Sequence, residues 1–258
     1  MLVIRAEQMD VFKKTALLSF EDEMVEHLAK FSPPLYKVVG EEQMRKVIRL
    51  GMSQAAQYGF TYRGPVRLYL ELMLLFGSYF DTDPQYPWAA EILTNQESGT
   101  QMQRAESLYE KTMDYRQKVA GPNGAYAIDA LKNTLMSVRL PLPELAIDFS
   151  SAMLKLITYL YPQKANYVGK DGLEALIKKG LSGAQRQNFT TNRGTALVAG
   201  LMLTLGHKCA IDPLYPWIAR ILQDETIVDP AARAKRLETE AVTWIKQFLA
   251  YSDERGLV

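Results

Sequence analysis

A single cysteine, Cys209, stands among 258 residues, so no disulfide can close within the chain, which fits a reducing compartment. Histidine is nearly as scarce. His207-x-Cys209 offers two zinc-type ligands, but no second pair follows at finger-like spacing, and His27 is the only other imidazole. No apolar run approaches the ~20 residues that cross a bilayer. The strongest are Leu68–Phe76, interrupted by Glu71, and Ala196–Leu205. The opening Met1-Leu-Val-Ile-Arg-Ala-Glu-Gln lacks the apolar stretch and small-residue cleavage site of a signal peptide. Charge of one sign is missing too. Thirty basic residues against twenty-nine acidic leave +1, which argues against a dedicated nucleic-acid surface. Period-two alternation bounded by hairpin turns is absent, and so are a Gly-rich phosphate loop, a serine elbow and a paired metal-binding helix motif. Together these absences predict a cytoplasmic, all-α protein with no cofactor, no metal and no membrane span, and they remove the usual sequence grounds for an enzyme.

What the chain does contain is a repeat. Residues 83–93 and 212–222 agree at eight of eleven positions, both reading Asp-Pro-x-Tyr-Pro-Trp at the start. Holding that 129-residue offset without a gap gives 27 identities over the 89 positions 20–108, where composition alone gives about one in fifteen. The retained pairs include Pro33/Pro162, Gly40/Gly169, Gly51/Gly180, Gly77/Gly206 and Leu72-Met73-Leu74/Leu201-Met202-Leu203. The expected architecture is therefore two tandem homologous helical repeats of about five helices each. Residues 1–120 form the first, residues 126–258 the second, and the linker covers about 120–125, where Ala120-Gly-Pro-Asn-Gly124 reads as a break.

Within the first repeat, Met9, Phe12, Ala16, Leu17, Phe20, Met24, Leu28 and Phe31 form a stripe spaced by three and four. That spacing predicts an amphipathic helix over 5–31, with Lys13, Lys14, Glu21, Glu23 and Glu26 mostly on its wet side, ended by Ser32-Pro33-Pro34. A second helix follows Gly40. Gly51 and Gly180 inside it suggest that another helix approaches closely. The third, from Pro65 to Gly77, is apolar on nearly every side and reads as the buried centre. A short helix starts at Pro87, with Trp88, Ile92 and Leu93 facing the core. A fifth, over 101–119, places Met102, Ala105, Leu108, Thr112, Tyr115 and Val119 on one face. The second repeat predicts helices near 143–161, 171–186, 194–206, 216–223 and 230–250. Pro141 and Pro143 break its opening helix, so that a separate one forms near 126–138.

The duplicated Asp-Pro-x-Tyr-Pro-Trp offers one carboxylate, one phenol and one indole, enough to bind a ring or a peptide. Each position equally has a folding role as cap, turn or anchor, and scaffold is the reading adopted. Asp81 and Asp83 resemble a hard-cation pair, but calcium loops need several more oxygens and Ala210 stands opposite Asp81. A Cys209–His207 thiol–imidazole pair lacks an orienting third group in sequence. Glu71 has Arg67 one turn earlier as an ion-pair partner. The copies diverge most at the end of the third helix, where Ser78-Tyr79-Phe80-Asp81 faces His207-Lys208-Cys209-Ala210. Aromatics at such a loop are common interface anchors. Tyr79, Phe80, Asp81, His207 and Lys208 are therefore the candidate partner-binding residues, the alternative being that Tyr79 and Phe80 plug their own core.

The opening twelve residues, Phe20-Glu-Asp-Glu-Met24-Val-x-His27-Leu28, Tyr58-Gly-Phe, Leu72-Met73, Phe80-Asp-x-Asp-Pro84 and Pro87-Trp-Ala resemble a family of small helical proteins. Bacteria encode that family among type VI secretion genes, near spike, PAAR-repeat and toxin genes. The resemblance spans about residues 1–118 and carries no catalytic residues with it. It implies an accessory role around effector loading: a non-enzymatic adaptor or chaperone whose protein partner is a secreted toxin or its PAAR-bearing region. An immunity protein neutralising the toxin is the alternative within the binding class, and an enzyme the alternative outside it.

Overall fold

The computed structural model describes residues 6–95, 97, 99–138 and 149–253. Within them every regular element is helical and no strand forms. Helix α1 (Ala6–Phe31) ends at Ser32, and Pro33 at once opens α2 (Pro33–Val39). The prolines thus end one helix and start the next, because a fixed φ and a missing N–H suit the first helical turn. Gly40, at φ +82°, turns the chain into α3 (Glu41–Gln57). Helix α4 (Arg63–Phe76) begins two residues ahead of Pro65. A 3-10 turn over Phe80–Thr82 leads to α5 (Pro87–Thr94) and α6 (Gln101–Tyr115). Thr100 and Gln103 cap α6 reciprocally, and a π turn over Arg116–Ala120 closes it before Gly121.

Helices α7 (Ala125–Ser137), α8 (Phe149–Leu160), α9 (Pro162–Arg186), α10 (Asn192–Leu205), α11 (Pro216–Leu222) and α12 (Pro230–Asp253) complete the order. Helix α9 is two helices joined across a kink at Gly169, where φ is +74°. The expected helix near 143–161 is present as α8. Its start, together with Pro141 and Pro143, lies outside the described residues.

Helix α4 is the centre of the first half, burying Val66, Tyr69, Leu70, Leu72, Met73 and Phe76. The glycines of α3 and α9 mark close helix crossings, as expected. A Cβ on Gly51 would collide with the Leu70 and Met73 side chains of α4, and one on Gly180 would lie 2.8 Å from the Ala199 Cβ of α10. Helix α1 departs from expectation. Phe20, Met24 and Leu28 are buried, but Met9, Phe12, Ala16 and Leu17 stand in solvent because α1 runs past the helices that would cover them. Glu21 departs in the opposite sense. It is buried between α1 and α3, held by Arg49 at 2.8 and 2.9 Å and by Arg45 at 3.2 Å. Those guanidinium groups keep its carboxyl below the usual range against the opposing effect of burial. Among the described residues no helix is long and apolar enough to cross a membrane.

Candidate interaction site

The ends of α4 and α10 meet back to back. Gly77 and Gly206 end them with φ +93° and +97°, and an added Cβ on Gly77 would lie 2.6 Å from the Leu205 carbonyl oxygen. Glycine is needed there for its backbone angle and for the contact. Around this point the aspartates of the two Asp-Pro-x-Tyr-Pro-Trp segments cross over. Asp83 accepts the backbone N–H of His207 at 2.7 Å, while Asp212 accepts the backbone N–H of Ser78 at 2.7 Å. Each carboxylate also accepts an N–H two residues on, from Gln85 and from Leu214, both at 2.9 Å. The side chains at the crossing complete the arrangement. The Ser78 hydroxyl donates to Asp212 at 2.6 Å, and His207 Nδ1 lies 3.2 Å from Asp83 Oδ2, outside hydrogen-bonding geometry. Burial pushes both carboxyls up. At Asp83 the His207 ring and the backbone donors outweigh it and hold the group below the usual range, whereas Asp212 remains above.

The five candidate partner-binding residues all fall on this crossing. Phe80 is fully buried, packed 4.9 Å from the Tyr69 ring, so it plugs the core. Asp81 is buried and accepts the Tyr58 hydroxyl at 2.8 Å. His207 is buried against Asp83. Tyr79 and Lys208 keep partial exposure and pair with each other, the ammonium 4.7 Å from the ring centroid. Only these two offer surface. Trp88 and Trp217 are half-buried anchors, less covered than expected of core tryptophans. Trp88 stands edge-on to Phe76 at 5.9 Å.

Reactive arrangements are sparse. Thr82, His207 and Asp83 come nearest to a nucleophile, base and orienting acid. Thr82 Oγ1 is 3.5 Å from His207 Nε2, at the limit of a hydrogen bond, and the opposite nitrogen makes none. Burial drives the Cys209 thiol well up, away from the thiolate a nucleophile requires. No three His, Cys, Asp or Glu side chains among the described residues are grouped to hold a metal.

Two open surfaces escaped the sequence reading. One is the outer half of α1, where Val11, Phe12, Leu17 and Leu18 are exposed, Phe12 to 62%. The other runs along α6. Ala105, Leu108, Thr112 and Tyr115 face inward, while Met102, Tyr109 and Met113 form a second, exposed stripe beside Glu106 and Glu110. Met102, expected on the core face, belongs to this outer stripe. Its seven- and four-residue spacing is a helical face visible in the sequence, masked there by the stronger inner stripe. Comparison with known proteins found no matching family model, no similar curated protein and no similar solved structure.

Proposed function

We propose that this chain is a duplicated helical module acting as a non-enzymatic adaptor or chaperone, holding a type VI effector or its PAAR-bearing region for loading. In this reading residues 1–120 and 126–258 are the two repeats, and among the described residues each carries six α-helices, α1–α6 and α7–α12, where about five were expected. Three pairs of positive-φ residues at the 129-residue spacing support the duplication: Gly40 with Gly169, Gly59 with Asn188, and Gly77 with Gly206. The adaptor role rests on the resemblance, and the observation that carries it is the outer half of α1. Its apolar stripe continues the buried Phe20–Met24–Leu28 line outward, where Phe12 and Leu17 stand exposed among the described residues. Large exposed apolar side chains grouped on one helix are a mark of a protein-binding surface.

The test is a delivery assay with a type VI toxin, should the neighbouring genes encode one. A Phe12→Asp, Leu17→Asp variant is expected to melt within about 4 °C of the parent, since exposed substitutions cost little, and to lose effector delivery. Normal delivery in cells lacking the chain, together with protection of those cells when it is present, would replace the adaptor with an immunity protein.

A further inference from the structure

The crossing of Asp83 and Asp212 has a symmetry that ordinary domain packing lacks. Position 83 of the first half binds position 207 of the second, and position 212 of the second half binds position 78 of the first. Both partners are displaced by the same 129 residues. Two modules related by translation would repeat a contact in one direction only. A contact returned by its own equivalent requires a twofold axis, the geometry of an isologous dimer. The next shell repeats the exchange. Helix α2 packs on α12 of the other half, with Lys37 Nζ 4.7 Å from the Tyr251 ring centroid. The matching segment 162–168 packs on the end of α6, where Tyr167 meets Tyr115 edge-on at 5.1 Å. Tyr161 just before it donates its hydroxyl to the Val119 carbonyl at 2.9 Å. At the axis an added Cβ on Gly77 would lie 2.6 Å from the Leu205 carbonyl oxygen and one on Gly206 3.0 Å from that of Phe76.

We infer that the surface carrying Asp-Pro-x-Tyr-Pro-Trp is a self-complementary docking surface whose partner is a second copy of the same module, so that this chain is a twofold dimer fused end to end. The inference rests on the duplication proposed above and is independent of the adaptor role. The motif is retained twice because each copy clasps the other: its aspartate satisfies two backbone N–H groups that the abutting helix ends and the Asx turn bury. Position 78/207 is free to differ as long as its side chain faces the opposing carboxylate, which serine and histidine both do here. The linker then supplies proximity and no essential contact.

The experiment uses the full chain with a protease site inserted between Gly121 and Gly124. After cleavage the two pieces are expected to co-elute at the size of the intact 29.2 kDa chain at micromolar concentration and to remain together on dilution. Asp83→Asn and Asp212→Asn, each in the cleavable chain, are expected to weaken the association at least tenfold, as loss of a buried charged acceptor does. Should an aspartate variant fail to fold before cleavage, Ser78→Ala decides instead. It deletes one hydroxyl bond and is expected to weaken association severalfold in a chain that still folds. Separation of the unmodified pieces at micromolar concentration would overturn the inference, as would association untouched by all three substitutions. Effector delivery does not enter the measurement, so either failure leaves the adaptor reading standing.

Discussion

Lys164 occupies the position of Leu35 in the first half, and it shows how one side chain makes the halves unequal. Its ammonium is buried, donating to the Leu203 carbonyl at 2.6 Å and lying 3.4 Å from the Tyr86 hydroxyl. Burial lowers its pKa from 10.5 to about 8, against the pull of the Asp83 charge. Between those values the unfolded chain holds a proton that the native chain has released, so stability rises with pH across the window. At ~1.4 kcal/mol per unit the full rise is about 3 kcal/mol. Urea melts at pH 7.5, 9 and 10.5 should show it, and Lys164→Leu should flatten it. An equal slope in the variant would assign the rise to other groups. The pattern of apolar spacing gave no hint of this amine in the core, because Lys164 falls between the helices expected near 143–161 and 171–186.

Among the elements, the paired crossings of α3 with α4 and of α9 with α10 are the feature the sequence announced most directly, through a glycine kept twice inside a helix. Their costs of substitution differ. A Cβ at Gly51 meets the ends of the Leu70 and Met73 side chains, which can swing aside, whereas at Gly180 it meets the Cα and Cβ of Ala199, which cannot. Gly180→Ala is therefore expected to cost about 1–3 kcal/mol, and Gly51→Ala clearly less. Chemical denaturation of the two variants checks the order, and equal or reversed costs would contradict it. Helix periods, proline starts and the central α4 were legible for the same reason: each is decided by local backbone preference or by a wide apolar face. The fate of α1 was not. Its stripe is continuous from Met9 to Phe31, and only the length of the helices packed beside it decides that Phe20 is covered and Phe12 is bare. Glu21 was misplaced on the same ground, since Arg45 and Arg49 reach it from another helix. The candidate site was legible as a location, the divergent end of α4 and α10. Its role was not, because the crossed pair of carboxylates depends on contacts between residues 134 and 124 positions apart, which helical periodicity does not encode.

For the molecule as a whole, the consequence is that the two halves should not unfold separately. One connected set of buried side chains runs through both, from Met24 and Leu28 in the first to Leu237 and Trp244 in the second. Opening either half breaks the bonds from the Ser78 and His207 backbone N–H groups to the opposing carboxylates, each worth about 1.5–3 kcal/mol because the acceptor is charged. The tryptophans report on this independently: Trp88 lies in the first half, Trp217 and Trp244 in the second. A Trp88→Phe variant follows only the second half by fluorescence, and a Trp217→Phe, Trp244→Phe variant only the first. Each is first compared with its own circular dichroism transition, which records both halves and corrects for the stability lost to the substitution. The expected outcome is that fluorescence and circular dichroism coincide in both variants, the signature of a single cooperative step. Two halves folding as beads on a linker would instead give a fluorescence midpoint displaced from the circular dichroism midpoint, in opposite directions for the two variants. That result would mean the crossing of Asp83 and Asp212 contributes too little to couple the halves.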